Sequence, residues 1–506
     1  MTQRPIAMHT RRQFMLASIC LALVSLGFAG AAVADEPVLR AGAATSNITP
    51  PLGTIIVGGF APYPAEHIHD ELHARCLVLD DGQTRLALVV CDLLGLHRSL
   101  SIEARRLIEK ETGIPPQNVL ISATHTHSAG TALGTNRYAG EQELDEYQQF
   151  VARRITDGVR RAANLLRPAE VAFTKVDIPE EVHNRRWLMR EGSVPANPFG
   201  KIDKVRTNPP VRSPDLVEPA GPIDPTVSIV ALREPDGRLI SVYCAYSLHY
   251  VGGTGPKHVS SDYYGMFCES LKRRQDQGEA DPPFVAMMAN GTSGDINNID
   301  RLTPRISRGA YHRMREVAEN VAGKVHKALS EIDSWQSKVT LGARARELEL
   351  KWREIEPELL EWAKTVEVQA PRVPGGDIPV GAKFSTERSW VQRLSYSGRV
   401  QVLAEAKNPA RVPVQALRIG DIIIGTSPCE TFAEIGLEFK KRSPSPKSFM
   451  VSLAHGYMGY LPTPRHFELG GYETWPGTNY LEPQTSVKIL DAAIEMANQL
   501  APQEGR

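Results

Sequence analysis

Short apolar runs alternate with amphipathic stretches along most of the chain, and this alternation predicts a mixed α/β (α+β) fold. The segment CLVLDDGQTRLALVVCDLL (76–94) predicts a hairpin that turns at Asp81-Gly82, because two apolar runs flank a turn dipeptide. Apolar positions recur at helical spacing over about 100–111 and 143–166, and further helices are predicted over about 307–329 and 486–500. We therefore expect central β-sheets flanked by helices.

The first 34 residues have the features of a twin-arginine export signal. Arg11 and Arg12 precede an uncharged run from Phe14 to Ala34, which ends in a small-x-small cleavage sequence, Ala32-Val33-Ala34. The same uncharged run is long enough to form an uncleaved membrane anchor instead, and Cys20 leaves a lipoprotein as a minor alternative. We expect cleavage after Ala34 and a periplasmic or secreted protein.

Residues 35–506 are predicted as a single domain, because no linker divides them. Residues 191–225 contain eight prolines, which predicts a long irregular loop of the kind that forms a lid or a pocket wall. The charged stretch 352–410 favours helices and is predicted as a helical insertion over one face of the domain.

The composition excludes several functional classes. The chain has 506 residues, of which 42% are hydrophobic and 23% charged, so a disordered chain and a multi-span membrane protein are excluded. Lys plus Arg (58) equals Asp plus Glu (58), which argues against a nucleic-acid partner. Cleavage would leave 55 basic against 58 acidic residues and five cysteines, an odd number that cannot all pair. No amphipathic basic helix indicates membrane docking.

Four apolar runs end in residues that can bind a metal ion. Strands that carry polar groups at their ends can build a site on a rigid scaffold. Imidazole nitrogens and a carboxylate form a typical zinc site with one position open for water. The runs 118–123, 239–248, 421–428 and 448–454 lead respectively into His125 and His127, His249, Cys429-Glu430, and His455 to Tyr460.

Each of these residues also has an ordinary structural interpretation. His125 and His127 could be exposed loop histidines, and His249 could be a hydrogen-bonded core histidine. Glu430 suits the first turn of a helix, and Tyr460 could simply pack in the core. Cys429 could be a thiolate ligand in place of Glu430, although strand alternation points the two side chains apart. The combination of all four strand ends favours a metal site.

A second polar segment, NGTSGDINN (290–298), follows the apolar run 284–289. Gly291 and Gly294 would let backbone amides approach a ligand closely, and Asn290 could orient it. The segment therefore predicts a substrate-binding loop, with a turn-rich surface loop as the alternative. Its Asp and Asn spacing does not match an EF-hand, so no calcium site is predicted.

Five blocks of the sequence occur in an order found in a known family of hydrolases. They are AGAATSNITPPLG, ISATHTHSAG, SLHY with VSSDYYGMF, LRIGDIIIGTSPCETF, and GYMGYLPTPRHFELGGYE. These blocks, spread over about residues 38–480, resemble the neutral/alkaline non-lysosomal ceramidase family. The resemblance implies a ceramidase-like catalytic domain that binds one zinc ion through His125, His249, Glu430 and Tyr460. It also implies that His127, Arg185 and Tyr472 lie near the scissile amide.

Two features depart from that family. Its serine-containing segment is similar to GDVSPN, whereas this chain has GDINNI, so that Asn297 falls at the serine position. The chain also has no segment matching the immunoglobulin-like domain that ceramidases add after the last motif. Because zinc lowers the pKa of bound water to about 7, hydrolysis does not require the serine. Asp295 and His127 are the candidate general bases.

The sequence therefore predicts an exported zinc-dependent hydrolase that cleaves the amide bond of a small or lipid-like N-acyl substrate with metal-activated water. One alternative is a zinc esterase with a non-ceramide substrate. Another is a non-catalytic zinc-containing binding protein. A phosphate or glycan ester hydrolase is less favoured, because two-metal phosphatases usually need several more Asp, Asn and His ligands than this set provides.

Overall fold

The computed structural model describes residues 38–58, 62–134, 141–278, 281–304, 308–369 and 386–501. The predicted signal, residues 1–34, lies outside the described residues. None of the helices in the described ranges is long and apolar enough to cross a bilayer.

Nine helices occur in the described part of the chain, and the four predicted from periodicity are among them. The helix predicted at 100–111 ends at Gly113, whose φ of 73° provides the left-handed turn expected of a glycine C-cap. The helix predicted to begin near 307 starts later, at His312. The helices are α1 (Arg98–Thr112), α2 (Glu146–Asn164), α3 (Asp262–Gln275), α4 (His312–Ser330), α5 (Pro357–Gln369), α6 (Thr386–Ala404), α7 (Ala433–Arg442), α8 (Pro464–Leu469) and α9 (Thr485–Leu500).

The strands of the described residues range from two to ten residues in length. In chain order they are β1 (Arg40–Asn47), β2 (Ile55–Val57), β3 (Tyr63–Pro64), β4 (His67–Ile68), β5 (His73–Asp80), β6 (Arg85–Cys91), β7 (Val119–Ala123), β8 (Ala129–Gly130), β9 (Arg167–Pro168), β10 (Glu170–Asp177), β11 (His183–Asn184), β12 (Arg186–Met189), β13 (Val205–Thr207), β14 (Leu216–Pro219), β15 (Thr226–Arg233), β16 (Leu239–Tyr246), β17 (His258–Val259), β18 (Val285–Asn290), β19 (Ile296–Asn297), β20 (Leu341–Leu350), β21 (Ala410–Ile419), β22 (Ile422–Thr426), β23 (Glu430–Thr431), β24 (Ser448–Val451) and β25 (Tyr460–Leu461). The predicted hairpin is β5–β6.

Three larger sheets organise these strands. Sheet A has the order β7-β6-β5-β1-β9, sheet B the order β10-β15-β16-β18, and sheet C the order β20-β21-β22-β24. Five small sheets complete the pattern, among them β13-β12-β14 and the parallel pair β23-β25. The predicted fold class, a mixed α/β domain with central sheets flanked by helices, is confirmed.

The three larger sheets share one central core, and helices cover their other faces. In β5, Leu77 and Leu79 lie in the central core, whereas Cys76 and Val78 pack into the cluster formed with α1 and α2. Sheet B packs its other face on α3 and α4, and sheet C packs on α7 and α9. Both faces of the central strands are therefore buried, which explains why strands such as β6, β16 and β18 are almost continuously apolar in the sequence.

Each larger sheet contains one parallel pair of strands: β6–β7, β16–β18 and β22–β24. The chain segments that follow these strands meet one another. Asn290 at the end of β18 donates through Nδ2 to the carbonyl of Thr124 (2.9 Å) and accepts from the backbone N–H of Ser452 (3.0 Å). Residues from all three sheets are thereby brought to one place, and this place is the candidate site.

The described part of the predicted insertion 352–410 contains α5 and α6, as its composition favours. Ser397 on α6 donates to the carbonyl of Ala363 on α5 (2.7 Å). Tyr396 of α6 packs edge-on against Phe199 and Trp475, with ring centroids 5.5 and 5.6 Å apart. The pair of helices therefore lies against the Pro-rich loop.

Candidate metal centre and active site

His125 lies just beyond the end of β7 in a strained backbone conformation. Its φ is 76°, which non-glycine residues rarely adopt and which costs about 1 kcal/mol or more. Its backbone N–H donates to the carbonyl of Leu93 (2.8 Å), so the neighbouring strand segment holds the turn in place. Strain of this kind concentrates at functional sites.

Two buried imidazoles are oriented by backbone carbonyls. His125 donates from Nδ1 to the carbonyl of Leu94 (2.7 Å), and His249 donates from Nδ1 to the carbonyl of Ser293 (3.1 Å). Because a carbonyl can only accept, Nδ1 carries the proton in each ring. Each Nε2 therefore presents a lone pair to the interior of the site.

Glu430 faces both of these nitrogens. Its Oε2 lies 3.2 Å from His125 Nε2 and 3.6 Å from His249 Nε2. Its Oε1 accepts a hydrogen bond from the Tyr457 hydroxyl (2.7 Å). In the parallel pair β23–β25, Glu430 is in register with Tyr460. One carboxylate oxygen is thus fixed, while the other points at the two imidazoles.

The donor set fits a divalent cation. Among the described residues, His249 Nε2 and Glu430 Oε2 are buried without a hydrogen-bond partner, a costly arrangement unless a ligand binds there. Ligands about 2.0–2.1 Å from a tetrahedral zinc ion lie about 3.3 Å from one another. The separations of 3.2 and 3.6 Å agree with that value.

His127 brings a third imidazole to the same place. Its Nε2 lies 3.1 Å from His125 Nε2, and its ring stacks on Tyr250 with centroids 3.6 Å apart. His125, His127 and His249 each offer a ring nitrogen within 4.8 Å of the others. His127, which the family resemblance places near the scissile amide, is therefore close enough to the candidate ligands to contact a bound ion.

Electrostatic interactions keep the imidazoles of His127 and His249 neutral and the carboxylate of Glu430 charged. Burial, together with the charges of Arg185 and the other histidines, holds the pKa of His249 well below its usual value. Burial, His125 and Arg185 do the same to the pKa of His127. Burial acts to raise the pKa of Glu430, but His125, Tyr460 and Tyr457 outweigh it and lower this pKa. Neutral imidazoles and an ionised carboxylate are the forms that bind metal.

A cavity of about 560 Å³ opens beside the ligand set. It is of the size that binds small molecules. Its wall includes the Pro-rich loop, so the predicted pocket wall is confirmed, and Gln392 of α6 also reaches it. The lining residues are Gly58, His127, Arg185, Val194, Pro195, Ala196, Asn197, Pro198, Asp203, Val205, Arg206, Thr207, Asn208, His249, Tyr250, Gln392, Tyr460, Gly471, Tyr472 and Trp475.

Comparison with known families decides the relationship. The family model of the neutral/alkaline non-lysosomal ceramidase N-terminal region matches residues 39–311. The chain belongs to this family. It is therefore a hydrolase of the neutral ceramidase family, as the sequence blocks predicted.

Individual relatives agree with this ceramidase-family assignment. The chain is 22% identical to the neutral ceramidase of Pseudomonas aeruginosa over 537 residues, which cover 95% of this chain and 75% of that protein. The crystal structure of the neutral ceramidase from Pseudomonas aeruginosa matches with a TM-score of 0.65 at 19% identity, covering 93% of this chain and 76% of that chain. A ceramidase complexed with C2 matches with a TM-score of 0.66 at 19% identity, covering 93% and 77%.

The ceramidase-type site gathers most of the residues that the sequence singled out. His127, His249 and Tyr460 line the cavity together with Arg185 and Tyr472. His125 and Glu430 are buried directly behind them. Arg185 is held by Glu473 (Nε to Oε1, 2.9 Å) and by the carbonyl of Gly294 (2.8 Å).

The predicted substrate-binding loop does not line this ceramidase-family cavity. Asn290 is fully buried and uses its side chain on Thr124, Tyr264 and Ser293. A Cβ on Gly294 would lie 2.4 Å from the carbonyl oxygen of Glu430, and one on Gly291 would lie 2.8 Å from Ser247 Oγ. These glycines let backbone segments pack closely against Glu430 and Ser247, and neither glycine is among the residues that line the cavity.

Asp295 and Asn297 likewise use their side chains on neighbouring protein groups. Asp295 is fully buried, and it accepts from the N–H of Ala433 (2.9 Å) and from Asn184 Nδ2 (2.8 Å). Asn297, at the position of the ceramidase serine, donates to Asn208 Oδ1 (2.7 Å). Neither residue is among those that line the cavity, and both join neighbouring segments together.

Three site residues escaped the sequence analysis: Tyr457, Tyr250 and Glu473. Tyr250 directly follows His249, and Glu473 directly follows Tyr472. Their positions next to predicted site residues are the feature of the sequence that could have identified them. His455 and Cys429, which also follow apolar runs and could bind a metal ion, are placed differently. His455 lies 3.0 Å from Gln415 Oε1, and burial raises the pKa of the Cys429 thiol to about 12.

Proposed function

We propose that this chain is an exported zinc-dependent hydrolase that cleaves the amide bond of an N-acyl substrate. The observation that carries the proposal is the convergence of His125 Nε2, His249 Nε2 and Glu430 Oε2 beside a cavity of about 560 Å³. Two histidines and one carboxylate form a common catalytic zinc site with an open position.

His125, His249 and Glu430 would hold the ion, and Tyr460 adjoins them at the cavity surface. When bound, zinc supplies polarisation of the scissile carbonyl and lowers the pKa of water. The chain contributes rigid positioning, because the ligands stand at the ends of strands from three packed sheets. It also excludes bulk water from His125 and Glu430, both of which are buried.

Polar groups of the cavity would act on the substrate. Burial raises the pKa of Tyr472 to about 12, so its hydroxyl stays protonated near neutral pH and can donate to the developing oxyanion. The ion pair with Glu473 holds Arg185 as a second donor. His127 lines the cavity beside the ligands, which makes it the favoured proton acceptor. Asp295 is a poorer candidate because both its oxygens accept hydrogen bonds.

The names of the relatives support an amide as the bond that is cleaved. One relative is a neutral ceramidase, and one solved structure is a ceramidase complexed with C2. The amide of an N-acyl substrate matches the donor groups around the cavity. A zinc esterase would use the same donors, and a matched set of N-acyl amides and esters distinguishes the two activities.

Metal analysis tests the proposal directly. We expect about one equivalent of zinc in protein purified without added metal, and hydrolysis of N-acyl amides that a chelator abolishes and zinc restores. Less than about a tenth of an equivalent, unchanged after zinc addition, would show that the assignment is wrong, because a three-ligand site should retain its ion.

Asn297 supports a second candidate, a non-catalytic zinc-containing binding protein. It occupies the position of the ceramidase serine and bonds to Asn208 instead of facing the cavity. Absence of turnover across a broad panel of amides and esters, with ligand affinity unchanged in His127→Ala, would favour this candidate.

Export through a twin-arginine route is part of the proposal. The cysteines of the described residues, at 76, 91, 244, 268 and 429, are free and buried. A chain without disulfides can fold completely before export, which the twin-arginine route requires. Replacing Arg11 and Arg12 by lysine should retain the protein in the cytoplasm, and cell fractionation measures this.

A further inference from the structure

The walls of the cavity carry more positive than negative charge. Arg185 and Arg186 share a single carboxylate, since Arg185 donates to Glu473 Oε1 (2.9 Å) and Arg186 to Oε2 (2.5 Å). The two guanidinium groups thus share the single carboxylate of Glu473, while the carboxylate of Glu430 faces the imidazoles. Asp203, the acidic residue among the lining residues, already accepts from Trp475 Nε1 (2.8 Å).

Arg301 adds a further cation just behind the lining. It donates to the carbonyl of Pro209 (3.0 Å) and to Asn208 Oδ1, and no carboxylate pairs with it among the described residues. Burial and the nearby charge of Arg185 lower its pKa to about 10. Arg301 and Arg185 are therefore close enough to repel one another.

Arg206 is the cation that remains available on the cavity wall. It lies in β13, where its backbone pairs with Trp187, and it is partly exposed; its side chain makes no ion pair or hydrogen bond to another described residue. A guanidinium group without a partner at the edge of a cavity is suited to bind a carboxylate through two parallel hydrogen bonds.

The size of the cavity restricts the rest of the ligand. A cavity of about 560 Å³ is within the size range of sites that bury most of a drug-sized ligand. A ceramide with two long chains is larger than such a ligand, whereas a single acyl chain with a small head group is not. Val194, Pro195, Ala196, Pro198 and Trp475 supply an apolar wall for such a chain.

We propose that the substrate is a single-chain N-acyl amide with a carboxylate on its amine side, of the N-acyl amino acid class, and that Arg206 binds this carboxylate. The inference deepens the proposed function and rests on it for the bond that is cleaved. Water adds to the acyl carbon and the carbon–nitrogen bond breaks. A fatty acid and a free amino acid leave, with the proton transferred to the departing nitrogen.

A pair of isosteric ligands tests the charge preference. N-octanoylglycine and N-octanoylglycinamide differ only in a carboxylate against a carboxamide. We expect the zinc-loaded protein to bind the acid at least 10-fold more tightly in calorimetry and to hydrolyse it with a correspondingly higher kcat/KM. An amide with two chains and more than thirty carbons should be a poorer substrate than either.

Variants at Arg206 assign the preference to this residue. Arg206→Gln should reduce the ratio of the two affinities to about 1–3 and leave the affinity for the neutral amide unchanged. Arg206→Lys should retain most of the preference because it keeps the charge. Lys201→Gln, at an exposed position outside the cavity lining, is the matched control and should keep the full ratio.

The two proposals fail in different ways. If both ligands bind equally, or if Arg206→Gln weakens both alike, the inference about the carboxylate is wrong even though hydrolysis proceeds. If the acid binds preferentially through Arg206 and neither ligand is hydrolysed with zinc bound, the charge preference holds and the proposed hydrolase function is wrong.

Discussion

His127 and His249 both line the cavity, yet the structure gives them different surroundings. His249 is fixed by the carbonyl of Ser293 so that its Nε2 faces Glu430, whereas His127 stacks on Tyr250 at the cavity surface. We expect His249→Ala to weaken zinc binding at least 100-fold, because it removes a ligand. His127→Ala should retain about one equivalent of zinc and lose at least 100-fold in kcat. Metal analysis and kinetics on the two variants measure the difference.

One result for the zinc content of these two variants would contradict the different roles of His127 and His249. If His127→Ala loses zinc as completely as His249→Ala, His127 is itself a ligand, and its role as a proton acceptor is wrong. Asn197→Ala, at a cavity residue that contacts Asp203, provides a control that should keep its zinc.

Tyr457 positions Glu430 through the hydrogen bond to Oε1 (2.7 Å). Removing the hydroxyl frees the carboxylate to rotate away from the two imidazoles. We expect Tyr457→Phe to weaken zinc binding about 10-fold, within the range seen when partners of metal ligands are removed. Competition with a chromophoric chelator measures the affinity. Tyr250→Phe, which leaves Glu430 untouched, should bind zinc normally; equal weakening in both variants would contradict this role.

At the residue scale, the sequence could point to the candidate ligands but not to the groups that orient them. His125, His249 and Glu430 follow apolar runs, so their positions at strand ends were visible. The hydrogen bond from Tyr457 to Glu430, the ion pair of Arg185 with Glu473 and the contacts of Asn290 join residues that are distant in the sequence. Such contacts depend on the folded arrangement, which is why the sequence could not show that the NGTSGD segment lies outside the cavity lining.

Asp295 connects two elements by capping α7 from outside the helix. No side-chain cap comes from Phe432 at the N-cap position, and Asp295 accepts from the first N–H of the helix, that of Ala433 (2.9 Å). We expect Asp295→Ala to lower the free energy of unfolding by about 1–3 kcal/mol, because it leaves buried donors unpaired. Urea unfolding measures this, and a variant that is fully stable but inactive would instead indicate a catalytic role.

Glu434 joins α7 to α8 and makes this junction sensitive to acid. Burial acts to raise its pKa, but His466, Thr463 and Arg465 outweigh burial and lower the pKa from 4.5 to about 2. Because the folded pKa is depressed, the stabilisation is present above about pH 4.5 and is lost as the pH falls towards 2. We expect the stability difference between the wild type and Glu434→Gln to shrink by about 2 kcal/mol between pH 6 and pH 3.

Urea unfolding at the two pH values provides the measurement for Glu434. A difference that stays constant between them would show that the carboxylate is not held in its ionised form. Glu438→Gln, on the same helix and facing Lys441 at 3.6 Å, is a surface control that should show little pH dependence.

At the element scale, long periodic segments were predictable and very short ones were not. The hairpin β5–β6 and the helices α1, α2 and α9 show clear apolar periodicity in the sequence. The strands β23 and β25 have two residues each, which is too few for any period, yet their pairing sets Glu430 beside Tyr460. The positions of α5 and α6 against Phe199 and Trp475 also depend on packing, which the charged composition of 352–410 does not encode.

For the molecule as a whole, the proposed ion would connect all three larger sheets. His125 follows a strand of sheet A, His249 one of sheet B, and Glu430 one of sheet C. We expect removal of zinc to lower the free energy of unfolding by about 4 kcal/mol when free zinc is about 1,000-fold above its dissociation constant. Urea titrations with and without a chelator measure this, and His249→Ala, with at least 100-fold weaker zinc binding, should lose about 1.4 kcal/mol or less under the same conditions.

The order of the strands within the sheets was beyond the sequence. Alternating strands and helices indicated a mixed α/β domain, but they do not specify that three sheets share one core. Because both faces of the central strands are buried, their apolar runs do not show which face packs on another sheet and which packs on a helix.

The ligands are separated by long stretches of chain, from His125 near the first quarter to Glu430 near the last fifth. No fragment ending before β23 can therefore assemble the proposed set of donors, and on this assignment a nascent chain cannot capture the proposed ion until translation is almost finished. Metal uptake thus reports on a fully formed tertiary structure, which would let a cell distinguish finished molecules from partly made ones by whether they carry the ion.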